Sequence, residues 1–262
     1  MKVLNINGIS VNDYEGNGKP LIFVHAFPLS SKMWEPQVNF FRNQFRVITY
    51  DVRGLGKSVQ TDNQFTMESY VNDFFVIVDE LKLVQLNACG LSMGGYIILR
   101  ALTRNPGRFS SVILADTRAE KDDDNGLISR ANAILDIKSG KKDEFLKNFL
   151  LKLINEKSYN NPGIKSFLDE IMSFNTDDGI CGAMLTLATR TNTIDNLKDI
   201  DIPALIIVGE DDILTPKNFA EAMNSALKNS TLEVIPDSGH LSNIENPDYF
   251  NSVVSKFLKD LK

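Results

Sequence analysis

The stretch Gly90-Leu91-Ser92-Met93-Gly94, followed by Gly95, decides how the rest of the chain is interpreted. It fits the pattern G-x-S-x-G, in which a serine stands on a tight turn between a strand and a helix. Glycines on either side of the serine let the strand and the helix pack closely. An apolar run ends at Cys89 and a helical pattern follows Gly95, as this geometry requires. The segment therefore predicts a nucleophilic Ser92 beside the N–H groups of a helix N-terminus.

Outward from this segment, short apolar strands alternate with amphipathic helical patterns. Leu21–Val24 is apolar throughout, which is typical of a strand buried on both faces of a parallel sheet. The sequence therefore predicts an α/β fold, with a mainly parallel eight-stranded sheet flanked by helices. The predicted strands are Val3–Ile6, Ile9–Tyr14, Leu21–Val24, Phe45–Tyr50, Leu83–Cys89, Ser111–Ala115, Ala204–Val208 and Thr231–Ile235, the first two forming a hairpin with a turn near Asn7-Gly8. The predicted helices are Met67–Leu81, Tyr96–Thr103, Phe219–Leu227 and Tyr249–Leu258.

One long stretch interrupts this alternation after the strand Ser111–Ala115. Residues 118–195 contain helical patterns only, which predicts a core domain of residues 1–117 and 196–262 with a helical lid inserted at 118–195. The predicted helices of the lid are Leu127–Ile137, Glu144–Ile154, Ile164–Phe174 and Ile180–Ala188, with breaks at Asn161-Pro162-Gly163 and Asp178-Gly179. Its apolar side chains favour an acyl pocket over a charged one, and each of them either lines this pocket or packs on the core; they are Ile134, Leu135, Phe145, Phe149, Leu150 and Met184.

Bulk composition removes several classes of function. The net charge of −6 disfavours nucleic-acid binding, which needs clustered Lys and Arg. Two cysteines far apart in the chain form neither a disulfide framework nor a zinc pattern. No apolar run approaches about 18 residues, so no membrane-spanning segment is expected. The first residues also lack the apolar region of a signal peptide, and we expect a cytoplasmic protein.

Glycine patterns that would bind phosphate groups are incomplete. Gly56-Lys57-Ser58 resembles the end of a phosphate loop, but Asp51 stands where the first glycine is required. No G-x-G-x-x-G occurs with the strand and acidic residue that a dinucleotide site needs. We therefore expect no organic cofactor and no metal.

The chain contains two histidines, so a histidine base must be His25 or His240. His240 follows the predicted strand Thr231–Ile235, and a loop at a strand end can reach a nucleophile at a neighbouring strand end. A carboxylate that orients this histidine is expected after another strand. The candidates are Glu210, Asp211, Asp212 and Asp116, and each of them gives the chain order Ser, acid, His.

In combination, these motifs resemble the α/β-hydrolase superfamily, and within it the small, lid-bearing carboxylesterases and the 3-oxoadipate enol-lactonase-like group. The matching segments cover nearly the whole chain; they are His25–Pro28, Asp51–Ser58, Gly90–Gly95, Gly209–Pro216 and Gly239-His240. The resemblance implies the α/β-hydrolase fold and, from the pattern G-x-x-D-x-x-x-P, Asp212 as the triad acid. It also implies an oxyanion hole formed by the backbone N–H groups of Phe27 and Met93. Ala26 departs from the usual glycine, and His25 is expected to be structural.

The resemblance implies a serine hydrolase that cleaves small carboxylic esters through an acyl-enzyme. We expect a monomer or a homodimer. A lactonase, thioesterase, C–C bond hydrolase or cofactor-free perhydrolase would carry the same fold and triad. From another class, a small-molecule sensor could retain the triad without sustained turnover. Substrate contacts are predicted for Trp34, Met184, Leu214 and Leu241, with core packing as the alternative for Trp34. Arg190 either binds a substrate carboxylate or ties the lid to the core.

Overall fold

The structure is a computed structural model and describes residues 1–59 and 65–261. Its centre is one eight-stranded sheet with the strand order β1-β2-β4-β3-β5-β6-β7-β8. The first three strands in this order pair antiparallel, and all other neighbours pair parallel. The strands are β1 (Lys2–Ile6), β2 (Ile9–Asp13), β3 (Pro20–Val24), β4 (Arg46–Tyr50), β5 (Leu86–Leu91), β6 (Phe109–Ala115), β7 (Ala204–Gly209) and β8 (Ser230–Ile235). This sheet confirms the predicted fold class.

The hydrophobic pattern explains why the sheet is covered on both faces. Every residue of β5 and of β7 is buried, so both faces of these strands lie under helices. The hairpin of β1 and β2 turns at Asn7 and Gly8, whose φ angles of 50° and 85° are those of a two-residue primed turn. These elements form where their local sequence predicts them.

Helices of the predicted core connect the parallel strands or follow the last of them. They are α1 (Glu35–Phe41), α2 (Met67–Glu80), α3 (Met93–Arg104), α9 (Lys217–Ala226), α10 (Ser242–Glu245) and α11 (Pro247–Asp260), and the remaining helices belong to the helical insertion. Helix α1 packs against α11, and α2 packs against α3. Helix α3 begins at Met93, directly after Ser92, and not after Gly95 as predicted.

The strand predicted from Leu83 begins three residues later, at Leu86. Leu83 belongs to the end of α2, where its N–H donates to the Val78 carbonyl and the Lys82 N–H donates to Asp79. Lys82 has a φ of 55°, so the segment forms the left-handed cap that ends many helices. The predicted strand therefore begins three residues too early, because the apolar Leu83 belongs to the helix cap.

The segment between β6 and β7 is helical, as its sequence predicts. Its helices are α4 (Asp124–Asp136), α5 (Lys142–Leu153), α6 (Glu156–Tyr159), α7 (Pro162–Ser173) and α8 (Asp177–Ala188). The break predicted at Asp178-Gly179 is wrong, because the Thr176 side chain caps α8 by accepting from Gly179 N–H. Gly179 serves close packing instead, since a Cβ there would lie 1.9 Å from the Gly54 carbonyl oxygen. The domain boundaries at 118 and 195 stay a prediction.

The strand order places a crevice beside the end of β5. The chain runs outward in one direction from β3 to β4 and in the other from β5 to β8, so the order reverses between β3 and β5. Ligands in open α/β sheets bind beyond the carboxyl ends of the strands at this point. Among the described residues, no helix has both the length and the apolar character needed to cross a membrane.

Candidate active site

Ser92 stands on a strained turn between β5 and α3. Its φ of 53° and ψ of −112° are unfavourable for a residue with a side chain, and such strain is found at functional sites. The flanking glycines permit the turn, because a Cβ at Gly90 would lie 2.4 Å from the Gly94 carbonyl group. A Cβ at Gly94 would lie 2.0 Å from the Val24 carbonyl oxygen. The G-x-S-x-G pattern is thus a requirement for close packing of β5, α3 and β3.

The structure brings Ser92, His240 and Asp212 together from three different loops. His240 Nε2 lies 2.8 Å from Ser92 Oγ, and His240 Nδ1 lies 2.8 Å from Asp212 Oδ2. Asp212 and His240 are buried, whereas Ser92 is partly exposed. A neutral imidazole held in this way donates from Nδ1 and accepts the serine proton at Nε2. The arrangement has the geometry of an activated serine nucleophile.

Only one of the four candidate acids contacts the imidazole of His240. Asp211 instead accepts from the Asn155 side chain, and Glu210 accepts from the Asp237 N–H. Asp116 accepts from Gly209 N–H and from Ser242, without reaching the His240 ring. Asp212 is thus placed to orient His240.

Thr215 is a part of this arrangement that sequence reasoning missed. Its hydroxyl donates to Asp212 Oδ2 at 2.7 Å and lies 3.2 Å from His240 Nδ1. Asp212 Oδ1 also accepts from the N–H groups of Leu214 and Thr215. A threonine three residues after a candidate acid is the signal that would have found it, because this spacing allows a turn closed by the carboxylate.

The environment keeps Asp212 ionised and makes His240 more basic. Burial opposes the charge of Asp212, but the facing His240 and the hydrogen bonds from Thr215 hold the pKa of this carboxyl below its ordinary value. Burial also opposes the imidazolium form of His240, yet the charge and hydrogen bond of Asp212 raise the pKa of His240 above 6.5. Glu245 acts in the same direction on the pKa of His240, as does Asp116 when it is ionised.

This shift predicts a specific pH dependence. His240 can accept the Ser92 proton only when it is neutral, so kcat/KM should rise with pH through the pKa of His240. Because that pKa is raised, we expect the midpoint of the acid limb above pH 6.5. The measurement is kcat/KM for p-nitrophenyl acetate at constant ionic strength across the acid limb. A midpoint at or below the ordinary histidine value would contradict the assignment.

The backbone N–H groups of Phe27 and Met93 lie at neighbouring strand ends. Phe27 follows β3 and Met93 follows β5, and Val24 pairs with Gly90 in the register of these strands. Met93 is the first residue of α3, where N–H groups have no partner within the helix. Phe27 N–H has no hydrogen-bond acceptor among the described residues. His25 supports this loop, because its Nε2 accepts from Val52 N–H and its Nδ1 contacts the Ala26 carbonyl oxygen.

A cavity of about 280 Å³ opens at Ser92 beneath the helical insertion. Its apolar wall contains Phe27, Ala133, Phe145, Phe149, Met184, Leu187 and Leu214. Its polar wall contains Tyr96, Arg118, Asp122, Ser129, Arg130, Lys152 and Thr215. A larger cleft at the amino ends of the strands contains no residue of the triad. The cavity at Ser92 is therefore the site at which a substrate could meet the nucleophile.

Of the four predicted substrate contacts, Met184 and Leu214 line this cavity. Trp34 does not, because its indole is fully buried in the core with its ring centroid 4.8 Å from that of Phe23. Leu241 is also fully buried and lies outside the lining. Among the six apolar residues of the insertion for which pocket and core were both open, Phe145, Phe149 and Met184 line the cavity, and Ile134, Leu135 and Leu150 do not.

The expectation of an uncharged pocket needs correction, because cationic side chains line one wall. The cause is a buried carboxylate, Asp122, that gathers three guanidinium groups. Arg118 and Arg190 donate to its Oδ1 at 2.6 and 2.9 Å, and Arg130 donates to its Oδ2 at 2.5 Å. Burial works against this charge, but the arginines hold the pKa of Asp122 below its usual value. A count of apolar residues does not reveal this cluster, because its members come together only in the folded chain.

Arg190 lies behind this wall and not in the cavity lining. Its guanidinium carbon lies 3.9 Å from the centroid of the Tyr96 ring, and its Nε donates to the Glu120 carbonyl oxygen. Arg190 therefore ties the helical insertion to α3 and to the chain after β6, which was one of its two predicted roles. No group of three or more His, Cys, Asp or Glu side chains within the described ranges is arranged to hold a metal ion.

Comparisons with known proteins agree with the fold. The sequence profile of a family described as alpha/beta hydrolase fold matches residues 19–155 and 167–247. The 3-oxoadipate enol-lactonase 1 of Acinetobacter baylyi is 30% identical over 254 residues, which cover 97% of this chain and 93% of that protein. A non-heme haloperoxidase of Rhodococcus erythropolis is 28% identical, with 93% of both chains covered. A thermophilic esterase from Thermogutta terrifontis, solved with malate bound, superimposes with a TM-score of 0.94 at 28% identity and covers 100% of this chain and 99% of its own.

Proposed function

Because this chain belongs to the α/β-hydrolase fold family, we propose that it is a serine hydrolase that cleaves small carboxylic esters. The observation that carries the proposal is the continuous chain of contacts from Asp212 through His240 to Ser92, each of 2.8 Å. Ser92 opens into the cavity, so a carbonyl carbon can approach its Oγ. These three groups perform acyl transfer without a cofactor.

The reaction begins when Ser92 Oγ attacks the ester carbonyl and His240 Nε2 takes the serine proton. The oxyanion that forms accepts hydrogen bonds from Phe27 N–H and Met93 N–H, each of which can contribute roughly 3 kcal/mol in a well-formed site. His240 then gives its proton to the departing alcohol, which leaves an acyl group on Ser92. A water molecule activated by His240 releases the acid and restores the serine. Asp212 remains ionised and stabilises the imidazolium at each step.

The size of the cavity supports a small acyl group. A volume of about 280 Å³ lies near the lower end of the range of ligand pockets. The T-shaped contact between Phe27 and Phe149 and the stacking of Phe145 on Phe149 give it an aromatic wall. Short aliphatic or aromatic acyl chains fit this space better than long chains.

The proposal is tested by turnover of p-nitrophenyl esters from acetate to dodecanoate by the wild-type protein. Repeated turnover with an optimum at short chains is the expected result. Release of one equivalent of p-nitrophenol followed by arrest would contradict a hydrolase and favour the small-molecule sensor. An optimum at dodecanoate would contradict the proposed substrate size.

A second candidate, hydrolysis of a lactone that carries a carboxylate, is favoured by the charged wall of the cavity. Arg118, Arg130 and Lys152 line the cavity, whereas its single acidic residue, Asp122, already binds three arginines. The lining therefore carries a net positive charge in a protein of net charge −6. The relative from Acinetobacter is named for an oxoadipate lactone, and the similar esterase is described with malate bound. Each of these two molecules carries a carboxylate. Opening of a lactone uses the same steps at Ser92.

The charge of Lys152 provides a direct test of this candidate. Lys152 lines the cavity and has no ion pair among the described residues, so its replacement leaves no buried partner unpaired. We expect Lys152→Gln to lower kcat/KM for p-nitrophenyl hemiglutarate roughly fivefold, the effect of about 1 kcal/mol from a partly screened charge pair. The value for neutral p-nitrophenyl valerate should stay unchanged.

Lys147→Gln is the matched control, because Lys147 lies on the same helix α5, is exposed and is not part of the lining. It removes the same charge from the protein and should leave both esters unaffected. An equal loss with both variants would mean that long-range charge, and not a contact in the cavity, sets the preference. Loss of valerate turnover in Lys152→Gln would also contradict the assignment.

A further inference from the structure

Asp116 is a buried carboxyl group beside the triad that the proposed reaction does not use. It follows β6 and is fully buried, and its φ of 45° is a left-handed conformation that asparagine and aspartate tolerate better than most residues. Its backbone N–H donates to the Ile207 carbonyl oxygen, which fixes it to the neighbouring strand β7. The side chain consequently points between the two loops that follow β7 and β8.

The carboxyl group of Asp116 connects these two loops. Its Oδ1 accepts from Gly209 N–H at 2.7 Å, three residues before Asp212. Its Oδ2 is 2.6 Å from the Ser242 hydroxyl and 3.3 Å from Ser242 N, two residues after His240. The loops also touch directly at this place, because a Cβ at Gly209 would lie 1.9 Å from the Gly239 carbonyl oxygen. A shift of either loop therefore changes the distance between the acid and the base.

We propose that Asp116 is a positioning residue, which holds the loop of Asp212 and the loop of His240 at the separation that the triad requires. The inference rests on the proposed function, because it assigns a role in the same reaction. Groups that act in catalysis must be held within about 0.5 Å of their working geometry by neighbours that are themselves fixed. Asp116 meets this condition through hydrogen bonds to both loops and to β7.

The protonation state of Asp116 makes asparagine its close analogue. Burial, together with the charge of Asp212, raises the pKa of Asp116 to about 8, against the opposing effects of His240 and the hydrogen bonds from Ser242 and Gly209. Cys89 is the other titratable group whose charge would interact with Asp116 here, and burial keeps it protonated by raising its pKa. Below pH 8 the carboxyl is therefore mostly neutral. An asparagine can accept from Gly209 N–H and donate to Ser242 Oγ without a change in charge, and it loses only the 3.3 Å contact with Ser242 N–H.

The test compares Asp116→Ala with Asp116→Asn. We expect Asp116→Ala to lower kcat for p-nitrophenyl acetate roughly 100-fold with KM nearly unchanged, the cost of a misplacement of about 1 Å. The acid limb of kcat/KM should also move to lower pH, because Asp212 no longer raises the pKa of His240 from the same distance. Asp116→Asn should restore most of kcat and the wild-type acid limb. Thermal unfolding of each variant shows, independently of activity, whether the variant is folded.

A second readout keeps the inference separate from the proposed function. Diethyl p-nitrophenyl phosphate forms a P–O bond to Ser92 Oγ and releases p-nitrophenolate, while His240 takes the serine proton. The rate of this single labelling step should fall in Asp116→Ala and recover in Asp116→Asn, even if no ester is turned over. If Asp116→Ala is unfolded, Ser242→Ala should show a smaller fall in the same rate. Unchanged labelling in folded Asp116→Ala, or an equal loss in Asp116→Asn, would overturn the inference.

Discussion

Ser92→Ala is expected to lower kcat for p-nitrophenyl esters by roughly 10⁶-fold, the cost of removing the nucleophile from a complete triad. The loss is this large because Asp212 and His240 can act only through the serine oxygen that they activate. The fold should survive, since Ser92 Oγ is partly exposed and bonds only to His240 among the described residues. Steady-state hydrolysis of p-nitrophenyl acetate by the variant measures the effect.

Ser129→Ala is the matched control for this experiment. Ser129 also lines the cavity, from helix α4, but it has no contact with the triad in the part of the chain that the structure describes. We expect its activity to remain within about twofold of wild type, as for most exposed substitutions. Equal activity of Ser92→Ala and wild type would show that another group performs the attack, and the mechanism above would be wrong.

Asp212→Asn is expected to lower kcat by roughly 10⁴-fold while the site keeps its shape. An asparagine that donates from its amide stabilises the imidazole tautomer with the proton on Nε2, which cannot accept the Ser92 proton. It also removes the charge that raises the pKa of His240, so any residual activity should have its acid limb at lower pH. Both effects are read from kcat and kcat/KM across the pH range.

Asp211→Asn tests whether the effect belongs to Asp212 or to the charge of its loop. Asp211 is the adjacent carboxylate, but it is exposed and contacts Asn155. Removing its charge should change kcat by about twofold at most, as for a screened surface group. A comparable loss in both variants would contradict the assignment of Asp212. A small loss in Asp212→Asn alone would mean that the Thr215 hydroxyl, 3.2 Å from His240 Nδ1, can hold the productive tautomer.

These variants also test whether the charged wall of the cavity takes part in binding or in the reaction. If esters with a carboxylate are the better substrates, the loss caused by Ser92→Ala should be equally complete for them, because the wall binds and does not react. Lys152→Gln should instead change the ranking of substrates and leave the mechanism intact. The two sets of variants therefore separate the chemistry of the site from its choice of substrate.

The sequence by itself determined the features that depend on neighbouring residues. Backbone sterics at Ser92 require glycine on both sides, and the continuous apolar runs of β5 and β7 require cover on both faces. The turn at Asn7-Gly8 also follows from local backbone sterics, because its positive φ angles favour asparagine and glycine. The hydrophobic pattern predicts the ends of helices and strands less accurately than their positions. The cap of α2 at Lys82 and the cap of α8 at Thr176 depend on hydrogen bonds that periodicity does not record.

Only the tertiary structure decided which side chains meet across long separations in sequence. It separated Asp212 from Asp116 by placing one against His240 and the other between two loops. It also placed Trp34 in the core, and it placed Lys152 and Arg130 in the wall of the cavity that contains Ser92. A residue's type and spacing fix the secondary structure that it joins and the face that it occupies. Its partners on other elements depend on the packing of the whole chain, which no local pattern contains.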